Sequence, residues 1–405
     1  MTLTKQEQHL ADTIAARADD LLEDLILHVG IPTGGFNESG IERTRDLLTS
    51  RLVALGANHS QVDPDPKPEW LLGGQAGGYQ PSTSICERLN GAASGRVLIA
   101  GHMDTVHDPE GPFNALTLSE DGKTGLGPGC VDMKGGLVIA VAALEALESC
   151  SIEANWTFSL NGDEETGTYH SAQALSDQAK LHDYGLALEP AMPGGELVVE
   201  RMGAGQFMIE TFGKSAHVGR AFTDGISAVT KLGECLVAVG DMPDPERGRI
   251  LNIGPLKGGP VTNGVPDHAQ AWGNVRFPDQ SIADEIASML DALETSSKAL
   301  PGVKVHRSFN RPAKPMIPAT ESLAIKAREV AQGLGQKLPF AKTGGVCDGN
   351  ILQQAGLPTI DTLGVRGGGL HTPDEWIEIP SLVERCQLLA ILIARLSAGG
   401  SESHQ

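Results

Sequence analysis

Five residues of metal-ligating type stand where short apolar runs of this chain give way to loops. His102 follows RVLIAG in the sequence His102-Met103-Asp104-Thr105. An imidazole at that point can bind a metal, and Asp104, two residues on, can take the other ring N–H, as the carboxylate partner of a metal-bound histidine usually does. Asp132 lies in the run Gly127-Pro128-Gly129-Cys130-Val131-Asp132-Met133-Lys134-Gly135-Gly136, just ahead of a helical pattern. A carboxylate there caps the helix or bridges two cations. After ANWTFSL the chain continues as Asn161-Gly162-Asp163-Glu164-Glu165, with three adjacent acids that repel one another and are costly to bury unless cations or hydrogen bonds compensate. Glu189 ends LALE, and His371 follows Gly367-Gly368-Gly369-Leu370. Taken singly, each has an ordinary use as a cap, a solvated turn or a structural histidine. Together His102, Asp132, Glu165, Glu189 and His371 offer imidazoles and carboxylates in a set suited to a pair of zinc-like ions. Paired ions of this kind sit about 3.5–4 Å apart and share a carboxylate and a water.

A ligand set so scattered along the chain needs a fold that collects strand ends at one edge. Residues 5–28, 40–55 and 134–148 carry apolar side chains at helical spacing, while 96–100, 154–160 and 184–189 are short apolar runs bounded by turns, with LPTIDTLG as a later strand. This alternation predicts an α/β fold with a doubly wound, mostly parallel sheet and helices on both faces, whose ligands gather at the carboxyl ends of the strands. The stretch 63–95, with its Asp-Pro-Asp-Pro, Gly-Gly and serine-rich pieces, reads as irregular surface structure. From about residue 200 the texture changes. GQFMIETFG, a helix after Thr223, RILNIGPLKG, QAWGNVRF, a helix near 281–297 and VKVHRSF give the order β-α-β-β-α-β of a ferredoxin-like module. At 405 residues the chain exceeds what one core usually serves. The expected division is 1–199 and 310–405 as two parts of a catalytic domain, with 200–309 inserted as a lid and dimerisation domain.

Composition removes several function classes. The formal net charge of −20 and the absence of clustered Lys and Arg argue against nucleic-acid binding. No apolar stretch has membrane-spanning length, and the polar, helix-periodic N-terminus lacks the pattern of a secretory leader, so a cytoplasmic protein is expected. Cys86, Cys130, Cys150, Cys235, Cys347 and Cys386 form no C-x-x-C pair and read as free, mostly buried thiols. Gly122-Lys123-Thr124 is not a phosphate-binding loop, because Thr117 stands where its first glycine is required.

The order and wording of the motifs resemble the M20 metallopeptidase family across nearly the whole chain, with the glutamate carboxypeptidase branch as the nearest likeness. The likeness is carried by His102-Met103-Asp104-Thr105-Val106, Gly127–Gly136, Asp163-Glu164-Glu165, Glu189-Pro190, Gly213-Lys214-Ser215-Ala216-His217 and Gly369–His371. The resemblance implies two divalent metal ions, expected to be zinc, with cobalt or manganese as alternatives. His102 and Glu189 would hold one, Glu165 and His371 the other, and Asp132 would bridge. It further implies Glu164 as general base, with Asp104 supporting the catalytic group beside His102. A base of this kind must stand beside the attacking water yet off the metals, free to pass a proton to the leaving amine.

The same resemblance marks His217 as a histidine that reaches the site of a second copy in dimeric members, and Asn263 and Arg276 as contacts of the substrate carboxylate. A guanidinium fork suits a carboxylate because two parallel hydrogen bonds form. Thr343–Gly349 resembles a glycine-rich loop beside the substrate, with Val346-Cys347 where a smaller or polar pair is expected. The expected reaction is amide hydrolysis that releases a C-terminal amino acid from a small peptide or N-acyl amino acid. A small-acyl deacylase of the succinyl-diaminopimelate or acetylornithine type, and a non-catalytic metal-binding relative, are the alternatives.

Overall fold

The computed structural model describes residues 2–72, 78–296 and 299–399. The strand Arg96–His102 is buried from Val97 onward, and its side chains alternate between two cores, as a period of two requires. Val97 and Ile99 enter the main core with the helices Gly135–Ser149 and Pro380–Ala398, whereas Leu98 and Ala100 pack on the opposite face against Leu175, Ile351 and Leu352. Burial on both faces is the reason this strand, like Asn155–Asn161, reads as a nearly continuous apolar run.

These strands belong to a six-stranded sheet ordered Asn58–Val62, Thr83–Arg88, Asn155–Asn161, Arg96–His102, Tyr184–Ala187 and Thr359–Ile360. The last four run parallel and the first two pair antiparallel. The carboxyl ends of Arg96–His102, Asn155–Asn161 and Tyr184–Ala187 therefore lie side by side and deliver His102, Glu164–Glu165 and Glu189 to one edge. Close approach at this edge needs glycine: a Cβ at Gly136 or Gly364 would fall 2.5 or 2.4 Å from the carbonyl oxygen of Leu188.

A second sheet, ordered Ile250–Gly258, His268–Phe277, Gly203–Phe212 and Gly302–Arg311, is antiparallel throughout. The helices Ala228–Gly240 and Gln280–Asp291 cover it, giving the ferredoxin-like order expected of this stretch. Its core, which includes Phe207, Ile209, Val275, Phe277 and Ile286, is separate from the main one.

Several details differ from the sequence-based expectation. The apolar pattern 5–28 forms two helices, Lys5–Ala15 and Ala18–Val29. Within 63–95, Thr83–Arg88 is a strand of the main sheet with its first four residues buried; its Thr and Ser side chains hid it from a reading that weighs apolar runs. Gly73 and Gly74 of the same stretch lie outside the described residues. The helix near 281–297 ends at Asp291, and Ser297 lies outside the described residues. LPTIDTLG contributes only Thr359–Ile360 to the sheet. Asp361 turns instead to buried Arg201 at 2.8 Å and Lys314 at 3.1 Å, and Thr362 takes a left-handed backbone with φ 60°. All six cysteines are free, and all but Cys150 are buried.

Candidate active site

His102 ends its strand with 1% exposure. Its Nε2 faces Asp132 Oδ1 at 3.3 Å, and its Nδ1 lies 3.0 Å from the carbonyl oxygen of Asp104 and 3.5 Å from Asp104 Oδ1. The Asp104 carboxylate does a second job: it accepts hydrogen bonds from the backbone N–H of Glu164 at 3.2 Å and of Glu165 at 2.9 Å. The loop after Asn155–Asn161 is thereby fixed to the loop after Arg96–His102.

Asp132 sits in the irregular turn ahead of the helix Gly135–Ser149, with non-helical φ −117° and ψ 90°. The buried carboxylate of Glu375 accepts hydrogen bonds from the N–H groups of Gly129, Val131 and Asp132 at 2.9 to 3.0 Å and contacts His107 Nε2 at 2.5 Å. Three N–H groups converging on one carboxylate hold this turn open in a shape that its own ladder does not provide. His371 takes a left-handed backbone with φ 63°, and its Nε2 reaches Asp132 Oδ2 at 3.4 Å and Glu165 Oε2 at 3.3 Å.

Ligand atoms of His102, Asp132 and Glu165 lie within 4.8 Å of one another. His102 Nε2, Asp132 Oδ1 and Glu165 Oε1 are buried and make no hydrogen bond among the described residues, although the first two face each other at 3.3 Å. Such atoms are costly in a native structure, and three of them pointing together fit a cation. Glu189, also buried, lies close enough to Glu164, Asp132 and His102 to feel their charges.

Burial and mutual charge shift the titratable groups of this cluster in opposite directions. Burial opposes ionisation of Asp132, but contact with His102 and His371 holds its carboxyl well below the usual range. Burial alone would depress His102, yet Asp104, Asp132 and Glu164 raise it well above its ordinary value. Contacts with Asp132 and Glu165 lift His371 to about 10. Burial, then the charges of Glu164 and Asp132, push Glu189 well above the carboxylate range. Glu164 is pushed up to about 8 chiefly by burial, with Arg311 and His102 opposing and Asp348 and Glu165 adding to it. Divalent cations bind such a cluster in competition with protons.

A cavity of about 570 Å³ opens on this cluster, lined by Glu164, Glu165 and His371 together with Asn274, Arg276 and Arg311. Gly345 and Val346 also line it, whereas Cys347 is buried at the start of the helix Asp348–Gln354. Arg276 is thus brought to the cluster. His217 and Asn263 are not: both are exposed, beside a short antiparallel pairing of Ala216–His217 with Gly264–Val265, where Val218 N–H donates to Asn263 O at 3.0 Å, and neither lines the cavity.

Sequence reasoning missed Arg311, Asp348, Lys67 and Glu375. Arg311 is 3% exposed and donates to Glu164 Oε1 at 2.7 Å and Asp348 Oδ1 at 2.9 Å. Lys67, its charge disfavoured by burial, lies on the cavity wall with Nζ 5.6 Å from the Tyr169 ring centre. Glu375 stands four residues after His371, and that adjacency was the one available signal.

Comparison with known proteins agrees with this arrangement. Carboxypeptidase G2 of Pseudomonas sp. (strain RS-16) is 27% identical over 378 residues, covering 92% of this chain and 88% of that protein. Succinyl-diaminopimelate desuccinylase 2 of Shewanella loihica is 25% identical over 331 residues, covering 74% of this chain and 85% of the relative. The crystal structure of a tripeptidase from Staphylococcus aureus superposes with a TM-score of 0.73 at 24% identity, over 93% of this chain and 99% of that one, and shares its fold. Residues 98–395 match the peptidase family M20/M25/M40. That span is well over half of the chain and contains every ligand-type residue of the cluster, so this protein is an enzyme of the M20/M25/M40 peptidase family.

Proposed function

We propose that the enzyme hydrolyses the amide bond joining a C-terminal amino acid to a peptidyl or acyl group, with Glu164 as general base. The observation that carries this reading is the convergence of buried His102 Nε2, Asp132 Oδ1 and Glu165 Oε1, which make no hydrogen bond among the described residues, beside a carboxylate that lines the cavity. His102 and Glu189 would hold one divalent cation, Glu165 and His371 a second, with Asp132 between them. When bound, the cations supply Lewis acidity toward the scissile carbonyl and make water a competent nucleophile at neutral pH. Zinc suits the imidazole and carboxylate donors, and cobalt or manganese suits them too.

The chain's own groups do the rest. Arg311 engages Glu164 Oε1, which leaves Oε2 to take the proton from the attacking water and return it to the leaving nitrogen. Asp104 holds the Glu164 and Glu165 N–H groups and so fixes which way the two side chains diverge. Arg276, across the cavity, pairs with the substrate carboxylate. We assign 1–199 and 310–405 to a catalytic domain and 200–309 to an inserted lid; the separate cores support two units, and the second junction falls a few residues after 309, because the last lid strand ends at Arg311 and Ala313 packs in the lid core. His217 and Asn263, which do not line the cavity of their own chain, would serve a second copy in a homodimer formed through the lid. Six free cysteines favour a reducing, cytoplasmic setting.

A second reading keeps the chemistry and changes the acyl group. The likeness to a succinyl-diaminopimelate desuccinylase supports a small-acyl deacylase. The experiment is amino-acid release from a panel of dipeptides, N-acyl amino acids and succinylated amines by metal-depleted protein, before and after zinc, cobalt or manganese. Metal-restored release of a C-terminal amino acid supports the first reading. Release only from short N-acyl amines supports the second, and no release from any compound contradicts both.

A further inference from the structure

On the side of the catalytic domain formed by the helices Pro318–Gly333 and Pro380–Ala398 lies a second cavity of about 360 Å³. It shares no lining residue with the one described above. Its wall holds three cationic side chains, Lys337, Arg366 and Arg385, against one carboxylate, Glu384. Glu384 is already taken, because its Oε2 lies 2.6 Å from Arg366 Nη1, while Glu378 binds Arg366 Nε at 2.7 Å. Lys337 is exposed and makes no ion pair among the described residues.

Arg385 is the unusual member. It is 2% exposed, yet no carboxylate pairs with it among the described residues. Nη2 donates to the carbonyl oxygen of Gly195 at 2.9 Å, and Nε and Nη1 have no hydrogen-bond partner among the described residues. A buried charge is ordinarily paired and hydrogen-bonded, because desolvation is otherwise uncompensated. Burial, and then the neighbouring charge of Arg366, lower this guanidinium to about 10 against the opposing charges of Glu384, Glu378 and Glu196. The turn opposite is built to approach it: Gly195 has φ +79°, and a Cβ there would stand 3.3 Å from Arg385 Nη2 and 3.5 Å from Arg366 Cδ.

We infer that this cavity binds a small oxoanion, inorganic phosphate or a free carboxylate, on Arg385, Arg366 and Lys337. The anion would supply the acceptor oxygens that Nε and Nη1 lack, which requires the guanidinium to turn toward the cavity, since both atoms are buried. Planar guanidinium forks match the oxygens of phosphate and carboxylate alike. The site is independent of the hydrolytic reading, since none of its residues touches the metal-ligand cluster.

The test is isothermal titration calorimetry on the metal-loaded, full-length enzyme with inorganic phosphate in one arm and acetate in the other, at constant ionic strength. The expected result is saturable binding of at least one of them. Arg385→Met should weaken it about tenfold or more, the loss that follows removal of a charged hydrogen-bond partner. Lys337→Ala, a surface change that leaves the fold untouched, should weaken it severalfold, which covers the case in which Arg385→Met does not fold. Saturation by phosphate alone or by acetate alone identifies the source and supports the site. No saturable heat in either arm, or binding unchanged in Lys337→Ala and in any Arg385→Met protein that folds, overturns it.

Discussion

Arg311 and Glu164 are joined twice: Arg311 Nη2 lies 2.7 Å from Glu164 Oε1 and 3.0 Å from the Glu164 carbonyl oxygen. Arg311 ends the last strand of the lid sheet, whereas Glu164 belongs to the loop at the carboxyl end of a main-sheet strand. The other arm of the guanidinium reaches Asp348, which also accepts from Thr168 and Asn161 at 2.7 Å each. One buried cation therefore ties the lid strand to the proposed base and to the helix Asp348–Gln354.

Removing that cation leaves two buried carboxylates without it. Arg311→Met is expected to destabilise the fold by about 3–5 kcal/mol, the usual cost of breaking one partner out of a buried pair. Urea unfolding monitored by circular dichroism measures it. A loss below about 1 kcal/mol would show that Glu164 and Asp348 are served without Arg311.

Arg276 tests substrate recognition separately from chemistry. It lines the cavity, and its Nη1 is held by the Asn274 side chain at 2.5 Å. Arg276→Ala should raise KM roughly 10- to 100-fold with a much smaller change in kcat, since a charged hydrogen bond is lost from binding. An unchanged KM would remove the carboxylate clamp from the account.

Glu375 acts on the site only through the backbone of the Asp132 turn. Glu375→Ala should lower metal affinity about 10- to 100-fold, as loss of a support behind a ligand does. Chelator competition followed by metal analysis gives the number, and wild-type affinity in a folded variant would contradict this role.

His28 supplies a pH dependence remote from the site. It is 2% exposed with Nδ1 unpartnered, and burial lowers it from 6.5 to about 4. The folded state thus favours the neutral ring. Its contribution is fully present above the unfolded value near 6.5 and is lost as pH falls from there toward about 4, by about 3 kcal/mol in total. Urea midpoints at pH values between about 7 and 4.5 should fall more steeply for the wild type than for His28→Leu. Parallel slopes would show that the ring does not carry this dependence.

Much of the site was legible because strand ends announce themselves. RVLIAGH and NWTFSLN are buried on both faces, so their apolar runs stop where His102 and Asp163–Glu165 begin. The lid's element order was legible for a similar reason: its strands alternate and its helices carry caps such as Ser227 and Asp279. Thr83–Arg88 was missed because a strand can bury Thr and Ser once its neighbours satisfy them. Arg311 and Glu375 were missed because their partners are main-chain groups and side chains far away in sequence, contacts that no local pattern encodes. Arg385 looks like any helical arginine until the structure shows that, among the described residues, no carboxylate pairs with it.

The central claim is that Glu164 moves the proton while its neighbours hold the metals. Glu164→Gln preserves shape and the contact with Arg311 but cannot accept a proton, so turnover should drop by about 10²- to 10⁴-fold with metal content per chain unchanged. Turnover and metal content measured on one preparation decide the matter. An active variant would remove Glu164 from proton transfer, and an inactive variant that had lost its metal would make Glu164 a ligand instead.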